Sequence, residues 1–236
     1  MSKTIAAIAT PQGKGGIGIV RISGDDAKKI ADKLFHAHSE KSLCEVSGYT
    51  AHYGNIIKNG KTIDDAVALV FTAPKSYTGE DTVEISCHGG DYVVKQVLRL
   101  AIDCGAIPAD RGEFTKMAFL NGKMDLAQAE SVANIISAEG RQALISAVGA
   151  RGGKISNEIA EIKASLLEAA SRVAAFSDFP DEEPDFSGID NLGCILNSVL
   201  LRLQNLLKNY DAGKILRNGI NTVIFGKTNV GKSTLM

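Results

Sequence analysis

Two runs of aliphatic side chains, spaced like the seam of a coiled coil, limit most strongly what the second half of this chain can form. The first run recurs at intervals of four and three residues: Ile155, Ile159, Ile162, Leu166, Ala169, Val173 and Phe176. The second run repeats that rhythm: Leu192, Leu196, Val199, Leu203, Leu206 and Tyr210. Such spacing places each run on one narrow helix face. We predict a helical bundle in which two long helices, joined by residues 180–186, pack as an antiparallel pair.

Shorter signals predict where helices in this half begin and break. Asp125 is followed three residues later by Gln128, which predicts a helix start of the capping-box type. Gly152 and Gly153 stand just before the first seam. Each glycine costs ~1 kcal/mol against alanine inside a helix, so we predict a break or kink there. The acidic residues within 180–186 are more typical of a solvated loop than of a metal site.

The first 120 residues alternate short β-rich runs with helices. Apolar residues at helical spacing predict helices over residues 25–35 and 93–102. Asn59 and Gly60 suit the positive φ angles of a tight turn, so the flanking runs at 49–57 and 66–71 predict a hairpin, whose loop is two residues or longer. The remaining predicted strands are 5–9, 17–23 and 82–87. An α/β domain follows from this pattern.

The charge balance and the cysteines exclude several classes of protein. Twenty-six basic and 27 acidic residues leave a formal charge of −1, so a nucleic-acid contact needs a local basic patch or a partner protein. No run approaches the ~18 apolar residues of a membrane span, and the apolar start is short for a secretory signal, which favours a cytoplasmic protein. The widely separated cysteines predict reduced thiols rather than a disulfide framework or a zinc site: Cys44, Cys87, Cys104 and Cys194.

A phosphate-binding loop, GKTNVGKS, occupies residues 226–233. Glycines at this spacing let backbone N–H groups converge on phosphate oxygens, Lys232 supplies a cation, and the Ser233 hydroxyl is a Mg²⁺ ligand. The β-branched run at 221–225 predicts the strand that precedes such a loop. Hydrolysis also requires a downstream acidic Mg²⁺ ligand and a group that orients water. We therefore expect these 236 residues to hydrolyse no nucleoside triphosphate above background, and we assign them no catalytic residue.

Five stretches, taken in chain order, carry a resemblance to a known family. They are TPQGKGGIGIVRISG (10–24), SYTGEDTVEISCHGG (76–90), GEFTKMAFLNGKMDLAQAE (112–130), DFPDEEPDF (178–186) and GKTNVGKSTL (226–235). Together they resemble the bacterial tRNA modification GTPases known as MnmE or TrmE, over essentially the whole chain. The chain departs from the family pattern at Arg111, where proline is common, and at Met117, where arginine is common. The local loop geometry and charge at these two positions stay open.

The resemblance implies a fold and an activity. It implies an α/β, mixed-sheet domain over residues 1–120 that binds tetrahydrofolate and dimerises, an all-α helical domain over 121–217, and over 218–236 the first strand and P-loop of a truncated Ras-like G domain. It also implies that the parent protein hydrolyses GTP and works with the flavoprotein MnmG (GidA) in a heterotetramer. That complex forms a carboxymethylaminomethyl or aminomethyl group at the wobble uridine of tRNA, using a 5-formyl- or 5,10-methylene-tetrahydrofolate derivative.

The same resemblance implies site residues at matching positions. The folate contacts are Arg21, Glu84 and Lys123: a carboxylate accepts the N–H donors of a reduced pterin, and cations neutralise the carboxylates of its glutamate tail. In the P-loop, K⁺ is implied at Asn229 and Mg²⁺ at Ser233. The implied GTP contacts are Asn229, Val230, Gly231, Lys232, Ser233 and Thr234.

Two other functions remain open alongside this one. The chain is alternatively a non-catalytic dimerisation scaffold, or a one-carbon transferase that uses folate without GTP. The second alternative is weakened because no nucleophile or general base stands out beside the folate residues. The role of His88, either ligand-facing or structural, and the role of the PQGKGG loop at residues 11–16 are also open.

Overall fold

The structure is a computed structural model that describes residues 3–178, 187–218, 223, 225–227 and 231–235. It divides into two compact units, Met1–Ala129 and Glu130–Met236. The predicted acidic loop at 180–186 lies outside the described residues, as does most of the strand predicted at 221–225. Val223 and Phe225, the described members of that run, are not in a strand. A strand of this type is held by pairing with neighbours in a sheet.

The first unit is built on a seven-stranded mixed sheet. In chain order the elements are β1 (Ile5–Ile8), β2 (Ile17–Ser23), α1 (Ala27–Leu34), β3 (Phe35–Ala37), β4 (Thr50–Lys58), β5 (Lys61–Phe71), β6 (Thr82–His88), α2 (Asp91–Asp103), β7 (Ile107–Pro108) and α3 (Glu113–Leu120). The strand order is β3-β4-β5-β6-β2-β1-β7, with β1 and β7 parallel and the other neighbours antiparallel. The predicted mixed-sheet domain is confirmed.

Alternating side chains give this sheet one covered face and one open face. Alternate residues of β2 and β6 point to the covered face, where they are fully buried and pack in one core with α1 and α2: Val20, Ile22, Val83 and Ile85. Burial of such aliphatic side chains contributes ~1.5–3 kcal/mol each. The intervening residues belong to the opposite face, which we call the open face. The predicted hydrophobic faces of both helices are confirmed.

The β4–β5 hairpin turns on Asn59 and Gly60, with φ angles of +50° and +75°. Lys58 pairs directly with Lys61, so the loop has two residues. Positive φ at both central positions is the requirement of the turn whose twist matches paired strands. The predicted hairpin is confirmed, and both of its strands are longer than the sequence pattern indicated.

The second unit contains the predicted long helices. The helices are α4 (Leu126–Ile136), which begins in the first unit, α5 (Arg141–Arg151), α6 (Lys154–Asp178), α7 (Ser187–Asn218) and the short α8 (Lys232–Leu235). The capping box is present before α4: Gln128 N donates to Asp125 Oδ1 at 2.9 Å, and Asp125 N donates to Gln128 Oε1 at 3.0 Å. Gly152 and Gly153 separate α5 from α6, and Gly153 has a φ of +83°. The predicted break is therefore confirmed.

The seam between α6 and α7 is only partly buried. Ile162 and Ala169 on α6 and Val199 on α7 are buried, whereas other seam members are more than a third exposed: Ile155, Ile159, Leu166, Val173, Leu196 and Leu203. Two helices bury only the side chains that lie between their axes. Arg202 of α7 pairs with Glu158 and Glu161 of α6, as expected for an antiparallel hairpin. Within the residues that the structure describes, none of the helices combines the length and hydropathy of a membrane span.

Candidate functional site

Arg21 and Glu84 form an ion pair on the open face of the sheet. They are direct cross-strand partners in the antiparallel β2–β6 pair. Arg21 Nε and Nη2 both lie 2.7 Å from Glu84 Oε1. Glu84 Oε2 accepts no hydrogen bond from any residue that the structure describes. The side chains are 26 % and 17 % exposed, so the pair is accessible from one side. The structure thus brings together two of the three residues implied in folate binding.

Two aromatic rings contact the Arg21 guanidinium. Its Cζ atom lies 5.4 Å from the centroid of Tyr77 and 5.3 Å from that of Phe114, within cation–π range. The Tyr77 hydroxyl in turn lies 2.9 Å from Thr115 Oγ1. Neither Tyr77 nor Phe114 was predicted as a site residue from the sequence. Each lies in a stretch that carries the family resemblance: Tyr77 in SYTGED and Phe114 in GEFTK. An aromatic residue within such a stretch is the sequence signal that could have identified them.

A buried cluster of hydroxyl groups anchors the loop that carries Tyr77. This loop, residues 72–81, connects β5 to β6. Ser23 Oγ lies 2.7 Å from Thr78 Oγ1 and 2.8 Å from Thr82 Oγ1, and all three residues are at most 2 % exposed. Buried polar groups that are fully hydrogen-bonded define one geometry, because breaking the network leaves unpaired groups away from water. Thr78, the residue after Tyr77, is therefore held in one position.

Lys123 attaches to the same loop from the turn after α3. Its Nζ donates to Pro74 O at 3.0 Å, and Asn121 Nδ2 donates to Thr78 O at 2.9 Å. Gly79 has a φ of +84°, and a Cβ built on it would lie 3.2 Å from Lys123 Cγ. The Lys123 stem thus packs over a position that only glycine leaves open. Arg21 thus contacts this loop at the Tyr77 ring. Lys123 contacts it by the hydrogen bond to Pro74 O and by packing beside Gly79.

The phosphate-binding loop is described only in part. Gly231 has a φ of +84°, and Thr234 N donates to Gly231 O at 3.1 Å as α8 begins. Ser233 and Thr234 are exposed. Asn229, Val230 and the side chain of Lys232 lie outside the described part of the chain. No cluster of three or more His, Cys, Asp or Glu side chains with metal-binding spacing occurs among the described residues. The implied K⁺ and Mg²⁺ ligands stay predictions.

The PQGKGG loop lies against the start of α2. Gly13 N donates to Asp91 Oδ1 at 3.2 Å, and Gly15 N donates to Gly89 O at 3.0 Å. A cavity of about 60 Å³ lies beneath the loop, lined by residues that include Thr10, Ile17 and Lys95. Pockets for cofactor-sized ligands are several times larger, so this cavity suits one or two waters. It does not include Arg21, Glu84 or Lys123.

His88 is an exposed side chain held by a half-buried carboxylate. Its Nδ1 lies 2.7 Å from Asp64 Oδ1, with side-chain exposures of 68 % and 12 %. The hydrogen bond to Asp64 and the charge of that carboxylate raise the pKa of His88. The neighbouring Cys87 thiol is buried, and desolvation followed by the charge of Asp64 raises its pKa to about 11. Cys44 and Cys194 are exposed free thiols, and Cys104 is a half-buried one.

Comparisons with known proteins agree on one family. Residues 4–123 match the model for the N-terminus of the GTP-binding protein TrmE, and residues 126–230 match the MnmE helical domain. The tRNA modification GTPase MnmE of Christiangramia forsetii is 43 % identical over all of this chain, and that of Lactobacillus acidophilus is 45 % identical over 99 % of it. The chain spans about half the length of these curated relatives. The order of the two matched domains and the identity over the full chain show that it belongs to the MnmE (TrmE) family of tRNA modification GTPases.

Proposed function

We propose that the first unit of this chain binds a reduced folate through Arg21, Glu84 and Lys123. The observation that supports this proposal is their connection through one anchored loop, residues 72–81, although they are separated by up to about a hundred positions in sequence. Glu84 Oε2, without a partner in the described part of the chain, is suited to accept the N–H donors of a pterin edge. When bound, the folate supplies a one-carbon unit.

The ion pair refines the roles of the two cations. Because two nitrogens of Arg21 lie 2.7 Å from Glu84 Oε1, its main role is to orient that carboxylate. Lys123 donates to a main-chain carbonyl and has no carboxylate partner among the described residues. We therefore assign the carboxylates of the folate tail mainly to Lys123, and only secondarily to Arg21.

Isothermal titration of the whole chain with 5-formyl-tetrahydrofolate tests the proposal. The wild-type chain is expected to bind, and Glu84→Ala is expected to abolish binding, since Arg21 then loses its partner and the pterin loses its acceptor. Glu45→Ala is a matched control, because Glu45 is exposed and distant in sequence from the site residues. A folded wild-type sample that takes up no ligand contradicts the proposal. Unchanged binding in Glu84→Ala contradicts the assignment of that residue.

We also propose that the first unit forms a homodimer through the rest of the open face. This face carries apolar side chains that no helix of the first unit covers: Ile17 is 67 % exposed, Tyr53 is 55 % exposed, and Val67 and Leu69 are half-buried. Exposed apolar side chains on a sheet face, interspersed with polar ones, are typical of an interface between subunits. Ile17→Lys is expected to shift the chain to monomer in analytical ultracentrifugation, whereas Tyr92→Lys, at a 76 % exposed position on α2, is not.

For the whole protein we propose the activity that the names of its relatives state. The parent binds GTP through Asn229–Thr234 with Mg²⁺ at Ser233 and K⁺ at Asn229, hydrolyses it, and modifies tRNA in the cytoplasm together with MnmG. The matched P-loop spacing and the half-length match to tRNA modification GTPases support this proposal. The 236 residues alone are expected to release no phosphate from GTP above background. K⁺-dependent turnover by this chain contradicts that expectation.

The two alternative functions predict different results. A dimerisation scaffold without a ligand predicts that Glu84→Ala changes neither folate uptake nor the function of the parent. A folate-dependent transferase without GTP predicts modified tRNA when the chain, tRNA and folate are mixed without nucleotide. Neither alternative explains why Glu84, Arg21 and Lys123 are all connected to the loop at residues 72–81. Neither explains why the same chain also carries a P-loop sequence.

A further inference from the structure

The guanidinium of Arg21 is restrained far more than a cation of an exposed ion pair normally is. Two of its nitrogens point at a single oxygen, Glu84 Oε1, and two aromatic rings approach its Cζ within 5.4 Å. An ordinary surface pair leaves long side chains free to exchange among several geometries. Aromatic contact removes part of that freedom because a planar guanidinium prefers to lie over a ring face.

We propose that Tyr77 and Phe114 are positioning residues, which hold the Arg21–Glu84 pair in the one arrangement that presents Glu84 Oε2 to the ligand. This inference rests on the proposed folate site and adds two residues to it. With the guanidinium fixed, its Nε and Nη2 occupy Oε1 and leave Oε2 as the acceptor. Without the rings, the guanidinium can rotate to bridge both carboxylate oxygens in the bidentate geometry that isolated arginine–carboxylate pairs favour. Oε2 then accepts an arginine N–H and has one lone pair fewer to offer the ligand.

Both rings are themselves held in place. The Tyr77 hydroxyl pairs with Thr115 Oγ1 at 2.9 Å, and Thr115 follows Phe114 directly on α3. On the other side of Tyr77, Thr78 belongs to the buried hydroxyl cluster with Ser23 and Thr82. The loop and the helix that carry the two rings are thus tied to each other and to the sheet. Their geometry does not depend on the ligand being present.

A purely structural role for the two rings is the competing explanation. Core aromatic residues are buried among aliphatic side chains, whereas Tyr77 and Phe114 are half-buried and belong to no buried cluster of the first unit. Both rings lie in cation–π contact with the guanidinium. A half-buried ring in contact with the cation of a ligand-facing pair is placed to hold that pair rather than to fill the core.

The test compares Phe114→Leu and Tyr77→Leu with the conservative variants Phe114→Tyr and Tyr77→Phe in the full chain. Its first readout needs no folate: hydrogen exchange of the Arg21 Nε–H group, followed by ¹⁵N NMR and assigned with Arg21→Lys. Each leucine variant is expected to exchange this proton faster by about fivefold, the equivalent of one lost ring contact. The conservative variants, which keep an aromatic ring, are expected to restore slow exchange.

The second readout is titration with 5-formyl-tetrahydrofolate. Each leucine variant is expected to weaken binding by about fivefold, with the conservative variants close to wild type and with all variants equally folded by circular dichroism. Unchanged Nε–H exchange in both leucine variants overturns the positioning role. Faster exchange with unchanged folate affinity also overturns it. A wild-type chain that binds no folate contradicts the proposed function. The Nε–H exchange experiment still tests separately whether the two rings hold the Arg21 guanidinium.

Discussion

His88 and Asp64 are joined by two contacts that end strand β6. Asp64 Oδ1 lies 2.7 Å from His88 Nδ1, and Asp64 Oδ2 accepts a hydrogen bond from His88 N at 2.8 Å. A carboxylate bound at both oxygens fixes the imidazole so that Nδ1 carries a proton toward it. The ring extends from the open face into solvent, which makes it a titrating group with a defined partner.

The first prediction concerns the pH dependence of stability. Because the hydrogen bond to Asp64 raises the pKa of His88, the folded chain holds this proton more tightly than the unfolded chain does. The resulting stabilisation is complete below the ordinary value of 6.5 and is lost as the pH rises through the raised value. The unfolding midpoint is therefore expected to fall across this window. His88→Ala should flatten the change, and His36→Ala, at another exposed strand histidine, should not.

The second prediction concerns thiol reactivity. Burial, and next the charge of Asp64, raise the pKa of Cys87 from 9.0 to about 11, so its reactive thiolate is scarce at pH 8. Cys44 and Cys194 are exposed. Timed alkylation with iodoacetamide, read by peptide mass spectrometry, is expected to label these two cysteines well before Cys87. Equal labelling rates for Cys87 and Cys44 contradict this assignment of the buried thiol.

The third prediction separates backbone strain from packing at the loop that carries Lys123. Gly79→Ala places a side chain at a φ of +84° and within 3.2 Å of both Asn121 Cβ and Lys123 Cγ. Gly60 has a φ of +75°, but a Cβ added there has no atom within 4 Å. Gly60→Ala therefore introduces backbone strain without a steric contact. Each substitution is expected to lower the free energy of unfolding by ~1–2 kcal/mol. Only Gly79→Ala is expected to weaken folate binding as well, because the Lys123 stem must move.

An equal loss of affinity in the two glycine variants contradicts this assignment, since the hairpin turn at Gly60 is unrelated to the site. Denaturant unfolding measures the first effect, and titration with 5-formyl-tetrahydrofolate measures the second. The two variants separate strain from packing because the two glycines have similar backbone conformations, whereas only Gly79 has neighbouring side-chain atoms near the added Cβ.

The parts of this fold that follow from local pattern were accessible from sequence. The turn at Asn59 and Gly60, the capping box at Asp125 and the break at Gly152 each depend on residues adjacent in the chain. Their chemistry is decided by short-range sterics and hydrogen bonding. Side-chain periodicity likewise predicted the two long helices.

The site was accessible only in part because its contacts are long-range. Glu84 meets Arg21 across 63 positions, and no spacing rule connects a lysine to the carbonyl of Pro74 across 49. The family resemblance supplied the three site residues, but it did not supply Tyr77 and Phe114. The placement of Tyr77 depends on a loop that is fixed by the hydroxyl groups of Ser23, Thr78 and Thr82, and Phe114 lies on α3, which is joined to that loop by the Tyr77–Thr115 contact.

The last prediction concerns the hairpin of α6 and α7. Arg202 Nε lies 2.7 Å from Glu158 Oε1, and its Nη2 lies 2.6 Å from Glu161 Oε2. The hydrogen bond with Arg202 lowers the pKa of Glu158, and those with both carboxylates raise the pKa of Arg202. The pair joins two helices whose seam is largely exposed, so its removal should loosen them. Arg202→Met keeps an apolar side chain and deletes the guanidinium, with its charge and both hydrogen bonds.

We expect faster amide hydrogen exchange in both α6 and α7 of Arg202→Met. Arg172→Met is the matched control, because Arg172 pairs with Glu168 one turn earlier on the same helix and forms no ion pair with α7 among the residues that the structure describes. The difference between the variants should shrink in 1 M salt, where exposed charges are screened over ~3 Å. Equal exchange in the two variants would mean that the apolar contacts of Ile162, Ala169 and Val199 alone hold the two helices together.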